Sequence, residues 1–147
     1  MGVYAEEFLA PVAEAFQELD TVHSIVMHSE DGLDEISISA ATRGYEICGN
    51  EIQPFYCEPE QFGFQRVDRM LVTAKSLPES IQMVQNVLNG KDVGPVRNMV
   101  LMSSGVSLHL CGIADSLEDG VKHAKDLVVG GRAQEILEKL VAYTSVE

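Results

Sequence analysis

One run in this chain, TVHSIVMHS, is apolar and β-branched enough to be buried on both faces of a sheet, and it has few companions. It predicts a strand from about Val22 to His28. Such a strand needs neighbours on both edges, because its backbone N–H and C=O groups must find partners away from water. The next segment, TRGYEICGNEIQPFYCEP, supplies a hairpin. Gly49-Asn50 is a two-residue turn signal between runs rich in Ile, Tyr and Phe. With that turn, Cys48 faces Glu51 and Cys57 lies at the far end. The hairpin is an antiparallel extension at best, so by strand count the chain looks like part of a sheet protein. The unfilled edge along Val22–His28 is expected to expose apolar surface.

The remaining pattern is helical. EEFLAPVAEAFQELD places Phe8, Leu9, Val12, Ala13, Phe16 and Leu19 on one face, with Pro11 implying a kink or a loosely wound first turn. Ser76 and Glu79 have capping-box spacing with Pro78 in the first turn, and Gly90 is a stop. Pro95 opens another helix, in which Ser103-Ser104-Gly105 is small enough for a second backbone to approach closely. Ser116 and Asp119 repeat the capping spacing before a helix whose Val121, Ala124 and Val128 share a face. Gly130-Gly131 ends it, and a last amphipathic helix carries Ile136, Leu137, Leu140 and Val141. No repeat, linker or low-complexity tract interrupts the 147 residues. Helix, buried strand and then a polar loop is α/β grammar, and residues 1–147 read as one α/β unit, incomplete as a sheet.

Charge narrows the partners. Asp and Glu number 23 against 10 Lys and Arg, a net −13, which argues against nucleic acid and against anionic membrane surfaces. An anionic substrate would need metal ions or local Arg and Lys. The three cysteines lack CxxC spacing, so neither a disulfide framework nor a zinc ribbon is expected. No signal-like opening and no apolar run of about 18 residues is seen, and a cytoplasmic address follows as the expectation.

The stretch HSEDGLDEIS packs four carboxylates, Glu30, Asp31, Asp34 and Glu35, into six residues after the strand. Ligands of open α/β sheets sit beyond the carboxyl ends of strands, and adjacent carboxylates there suit a hard cation such as Mg2+ with bound phosphates. A solvated turn is the ordinary reading of the same pattern. The spacing does not fit a calcium-binding EF-hand loop. His28 reads as a polar cap on the core, or as a partner of Glu30 or Asp31. His23 and His28 point to opposite faces of a strand and make a poor chelate, while His109 and Cys111, two apart on a helix, read as packing or surface. No nucleophile elbow, Gly-rich phosphate loop or zincin pattern is present.

Taken in order, GVY with an acidic-apolar helix, a strand ending in His, DGLDEIS, a Thr opening a hairpin, PEQFGF and the closing helices from GPVRN onward resemble the second half of the anthranilate phosphoribosyltransferase family. The resemblance covers essentially the whole chain, and its specific motif is the GLDE step after the strand. It implies the C-terminal part of the family's large, nucleoside-phosphorylase-like α/β domain, with a short central strand, an antiparallel hairpin and C-terminal helices. It also implies transfer of ribose 5-phosphate from phosphoribosyl diphosphate to the amine of anthranilate, giving N-phosphoribosylanthranilate and diphosphate, a step of tryptophan biosynthesis. The family's Asp-Glu pair, Asp34 and Glu35 here, is expected to bind Mg2+ that holds the diphosphate. The family's Gly-rich diphosphate loop, its other substrate-contacting residues and the helical domain of its homodimer interface lie upstream of GVY. Catalytic and substrate-binding residues are therefore expected outside this chain, an N-terminal half is implied for activity, and the chain alone is expected to be inactive. Ala40-Ala41 stands where the family's Gly-Pro is expected, and Met102 where an Asn is usual. Two alternatives stay open: a non-catalytic binding or regulatory module that keeps the fold, and a related phosphoribosyl-transferring enzyme with a different acceptor.

Overall fold

The computed structural model describes residues 1–145. A 3-10 turn, Glu6–Phe8, leads into α1, Leu9–Glu18, so the loosely wound entry is realised. Pro11 falls in the first turn of α1, where its missing N–H would have had no partner, and the helix continues without a break. Three strands follow: β1, His23–Ser29; β2, Thr42–Cys48; and β3, Glu51–Cys57. They form one antiparallel sheet in the order β1-β2-β3. Gly49 takes φ +57° in the β2–β3 turn, and the register pairs Cys48 with Glu51 and Cys57 with Thr42, as the turn chemistry predicts.

β1 is buried on both faces. On one side Val26 and Ile47 meet Leu9 and Ala13 of α1. On the other, Ile25, Phe55 and Cys57 meet Met102 and Val106 of α3, Pro95–Leu110. The loop after β1 adds Ile36 and Ile38 to this second core. Two helices thus sandwich the sheet, which fixes where each end of β1 points.

The free edge of β1 is not bare as expected. Met1–Val3 runs beside it in parallel: Val3 N–H donates to the Met27 carbonyl and Met27 N–H to the Met1 carbonyl, each at 2.9 Å. Ile25 and Val26 are consequently buried, and the exposed apolar residue of this segment is Val22, which precedes the strand. A three-residue stub is enough because backbone pairing, not side-chain area, is what an edge lacks.

The helices start and stop where the caps predict. The Ser76 hydroxyl accepts from Glu79 N–H at the start of α2, Leu77–Leu88, and Ser116 accepts from Asp119 N–H at the start of α4, Leu117–Val129. Gly131, at φ +75°, turns the chain into α5, Arg132–Thr144. The face of α4 built from Val121, Ala124 and Val128 packs on Leu101 of α3, with Gly105 against Gly120 at the crossing. In α5 no residue is buried, and Ile136, Leu140 and Val141 are all exposed. Ile81 and Val84 of α2 are half exposed. The amphipathic periodicity of α5 is legible in the sequence, but nothing among the described residues covers Ile136, Leu140 and Val141, while α2 buries Val87 and leaves Ile81 and Val84 uncovered. No helix among the described residues is long and apolar enough to cross a membrane.

All three cysteines are free; Cys48 and Cys111 are exposed and Cys57 is fully buried. Burial pushes the Cys57 thiol up to about 12, so it holds almost no thiolate at neutral pH. A thiol-exchange reagent at pH 8 is expected to modify Cys48 and Cys111 rapidly and Cys57 only after denaturation. Fast reaction of all three in the folded chain would contradict the packing of β3 against α3.

Candidate functional site

The loop joining β1 to β2, residues 30–41, is built on the last residue of β1. Gly32 N–H donates to the Ser29 carbonyl at 2.8 Å and Ser29 N–H to the Leu33 carbonyl at 2.9 Å, closing a tight turn in which Gly32 takes φ +87°. The buried Ser29 hydroxyl donates to the Glu35 carbonyl at 2.5 Å. Its single proton is thereby used, so the Thr42 hydroxyl, 2.6 Å away, donates to Ser29 and in turn accepts from Ser37 N–H at 3.3 Å. This chain of hydroxyls, together with buried Ile36 and Ile38, holds the backbone on both sides of Asp34-Glu35.

The four carboxylates divide into two kinds. Glu30 is paired with Arg43, and Asp31 accepts from the Ser37 hydroxyl at 2.7 Å and from Leu33 N–H at 3.4 Å. Arg69 Nη1 also donates to the Asp31 carbonyl at 3.1 Å, tying a later segment to the loop. These two acids are loop architecture. Asp34 and Glu35 are exposed, and among the described residues neither carboxylate has a hydrogen-bond or ion-pair partner. The close packing of like charge is thus relieved in part by Arg43 and Ser37, a sharing that spacing alone could not reveal.

The pair is also placed against the chain's first residues. A Cβ on Gly2 would lie 1.5 Å from the Asp34 carbonyl oxygen, so only glycine allows this approach. The GVY segment and the GLDE step, distant in sequence, are in contact. Glu35 further lines a cavity of about 420 Å³ between β1 and α3, with Met27, Ile36, Met99, Ser103 and Val106. Among the described residues it is the sole charged side chain in that lining. Two adjacent oxygen donors, rigidly backed and without internal partners among the described residues, are a donor set that fits Mg2+, which takes carboxylate oxygens and keeps several waters.

The histidines are arranged differently from one another. His28 Nδ1 lies 2.9 Å from the Val3 carbonyl, so it caps the strand and holds the Met1–Val3 stub instead of joining Glu30 or Asp31. His23 and His109, read as separate polar residues, meet around Glu46. The register does carry part of that signal, since it sets Glu46 opposite Ile25 and hence on the face of His23. The contribution of His109 comes from helix docking and has no counterpart in local sequence.

Known proteins match this chain over nearly all of it. The family model described as "Glycosyl transferase family, a/b domain" matches residues 1–134. The anthranilate phosphoribosyltransferase of Marinomonas sp. (strain MWYL1) is 37% identical over 145 residues, covering 98% of this chain and 42% of that protein. The solved anthranilate phosphoribosyltransferase of Thermus thermophilus superimposes with a TM-score of 0.87 at 29% identity, covering 97% of this chain and 41% of that one. The Saccharomyces cerevisiae enzyme in complex with PRPP and Mg shares the fold, with a TM-score of 0.84 at 24% identity over 93% of this chain and 40% of that one. The chain therefore spans about two fifths of the length of the relatives it matches. On the match across residues 1–134, with the same α/β architecture and the GVY–GLDE contact in place, this chain belongs to the glycosyl transferase family through its a/b domain.

Proposed function

We propose that this chain is the C-terminal part of an anthranilate phosphoribosyltransferase, one incomplete α/β unit that contributes Asp34 and Glu35 to a Mg2+–diphosphate site and does not turn over alone. The carrying observation is that, among the described residues, Asp34 and Glu35 are the two acids of the loop left without internal partners while Glu30 and Asp31 are consumed in holding it. The relatives of 37% and 36% identity bear that enzyme's name, and the matched portion is under half of each. The uncovered apolar residues Ile81 and Val84 of α2 and Ile136, Leu140 and Val141 of α5 are in keeping with a unit that packs against further polypeptide. Its substrates would be phosphoribosyl diphosphate and anthranilate, its pathway tryptophan biosynthesis, its compartment the cytoplasm, and its assembly one with an upstream half, in a homodimer for the complete enzyme.

The chemistry asked of this chain is electrostatic placement. Asp34 and Glu35 would hold Mg2+, whose chemistry there would be neutralisation of the charge that builds on the leaving diphosphate as its bond to ribose C1 breaks. The residues themselves orient and wait: Ser29, Thr42 and Ser37 hold the backbone of the pair, and Arg43 keeps Glu30 occupied and away from the cation. Positioning of the two reactants then carries much of the barrier reduction, since the weakly nucleophilic amine needs a near-attack geometry more than a strong base.

Loss of anthranilate fluorescence on adding phosphoribosyl diphosphate and Mg2+ is the direct test. The isolated chain is expected to be silent and to show turnover once the upstream half of a complete relative is supplied. Turnover by the chain alone would refute the incomplete-unit reading. Silence of a well-assembled complex would favour a fold retained for binding, and turnover only with another aromatic or amine acceptor would favour a related transferase.

A further inference from the structure

At the end of the sheet opposite the acidic loop, three side chains from three elements converge. His23 opens β1, Glu46 lies within β2, and His109 occupies the last turn of α3. The cross-strand register puts Glu46 beside Ile25, so His23 and Glu46 project from the face that α3 covers through Met102 and Val106. That docking delivers His109. Glu46 Oε1 lies 2.6 Å from His23 Nε2 and 3.7 Å from His109 Nε2, and the three donor atoms all lie within 4.8 Å of one another. The imidazole centroids are 5.6 Å apart with the rings edge to face at 74°.

The hydrogen bonding around the cluster sets its chemistry. His109 Nδ1 lies 3.1 Å from the Ala114 carbonyl, which can only accept, so Nδ1 carries a proton. In the neutral ring Nε2 then presents its lone pair toward the Glu46 carboxylate, an arrangement that a cation between them would satisfy. Orientation of a histidine by a backbone carbonyl on its other nitrogen is the usual support of a metal ligand.

We propose that His23, Glu46 and His109 form a binding site for a divalent transition-metal ion of the Zn2+ type. Tetrahedral Zn2+ with bonds of about 2.0–2.1 Å sets its donors roughly 3.3 Å apart, and the two Glu46 distances bracket that separation. Three protein ligands leave the fourth position to water, which the half-buried setting allows. Two imidazoles and one carboxylate select Zn2+, Co2+ or Ni2+ over Mg2+, which demands oxygen donors. The site is therefore separate in chemistry from Asp34-Glu35, and separate in space by the length of β1, about 20 Å from seven residues at strand rise. Its effect would be to clip the C-terminal turn of α3 onto the start of β1 and the end of β2, and it stands whether or not the transferase reading holds.

The test uses the full chain stripped with a chelator, then titrated with Zn2+ by calorimetry and followed by thermal melting, with Co2+ as the spectroscopic probe. Binding of one equivalent is expected, with a midpoint raised by several degrees at saturating Zn2+ and no comparable shift from Mg2+. Co2+ is expected to give visible d–d bands without thiolate charge transfer. His109→Asn and His23→Asn should each weaken Zn2+ binding by more than about 100-fold, beyond the roughly 10–100-fold loss typical of outer-shell changes. Should His23→Asn fail to fold, His109→Asn at the helix end and the cobalt spectrum of the unaltered chain still decide. No binding, binding undiminished in the histidine variants, or a thiolate–cobalt band placing the ion on Cys48 or Cys111 would each overturn the site.

Discussion

Under the proposed function, replacing Asp34 and Glu35 together by Asn and Gln is expected to abolish Mg2+–diphosphate binding in the complex with an upstream half while leaving the melting temperature of this chain unchanged. Both carboxylates are exposed and neither has an internal partner among the described residues, so their loss removes nothing that holds the loop. Exposed substitutions of this kind change stability by no more than about 0.5 kcal/mol. Function is expected to respond differently, because the amides keep shape but lose both charges of the proposed cation site. Removing preorganised stabilisation of a developing charge lowers turnover by about 10²–10³ per group. The readouts are diphosphate and Mg2+ titration calorimetry, turnover in the complex with an upstream half, and the melting curve of the variant. Glu30→Gln is the control. It breaks only an exposed, solvent-screened pairing with Arg43, and is expected to leave metal affinity nearly intact. Unaltered activity in the double variant would remove Asp34 and Glu35 from the metal site, and a large loss in Glu30→Gln would mean that the cation sits on the other pair of acids.

The second large effect concerns stability. A Cβ added at Gly120 would lie 2.2 Å from the Gly105 carbonyl oxygen, and one at Gly105 would lie 2.6 Å from both Val121 N and Val121 Cγ2. The obstacle is backbone on a facing helix, which cannot swing aside as a side-chain tip can. Either substitution must push α3 and α4 apart and loosen Leu101, Val121, Ala124 and Val128, which pack across the crossing. Overpacking costs about 1–3 kcal/mol, and occasionally more. Alanine regains up to about 1 kcal/mol of helix propensity over glycine, so Gly120→Ala is expected to lose about 2 kcal/mol net. Gly120→Val, with a larger side chain and no propensity gain of that size, should lose about 3 kcal/mol or more. Denaturant unfolding of the two variants measures the difference directly. A Gly120→Ala chain as stable as the parent would mean that the helices do not approach at these glycines.

Much of this was legible beforehand, for a definite reason. The Gly49-Asn50 turn, the Ser76 and Ser116 caps and the Gly131 stop are decided by residues within a few positions of one another, and each appears where local chemistry demands it. The small step at Gly105 was readable as a place for close approach, although its partner, Gly120, was not. The acidic loop shows the same limit at finer scale. Its charge density was plain, yet that Glu30 goes to Arg43 and Asp31 to Ser37, leaving Asp34 and Glu35 without internal partners among the described residues, depends on β2 lying beside β1 and on the loop folding back over Thr42.

What the sequence determined by itself was therefore the set of elements, their ends, the strand suited to burial on both faces, and the family resemblance carried by GVY and GLDE. Tertiary structure alone decided that Met1–Val3 covers the edge of β1, that Gly2 touches Asp34, and that His109 reaches Glu46 and His23. The physical reason is common to all three. Periodicity and capping report which face of an element is apolar and where its hydrogen-bond ladder stops. They do not report which other element fills the space across that face, because dispersion and burial reward any well-fitting partner and only the complete packing selects one.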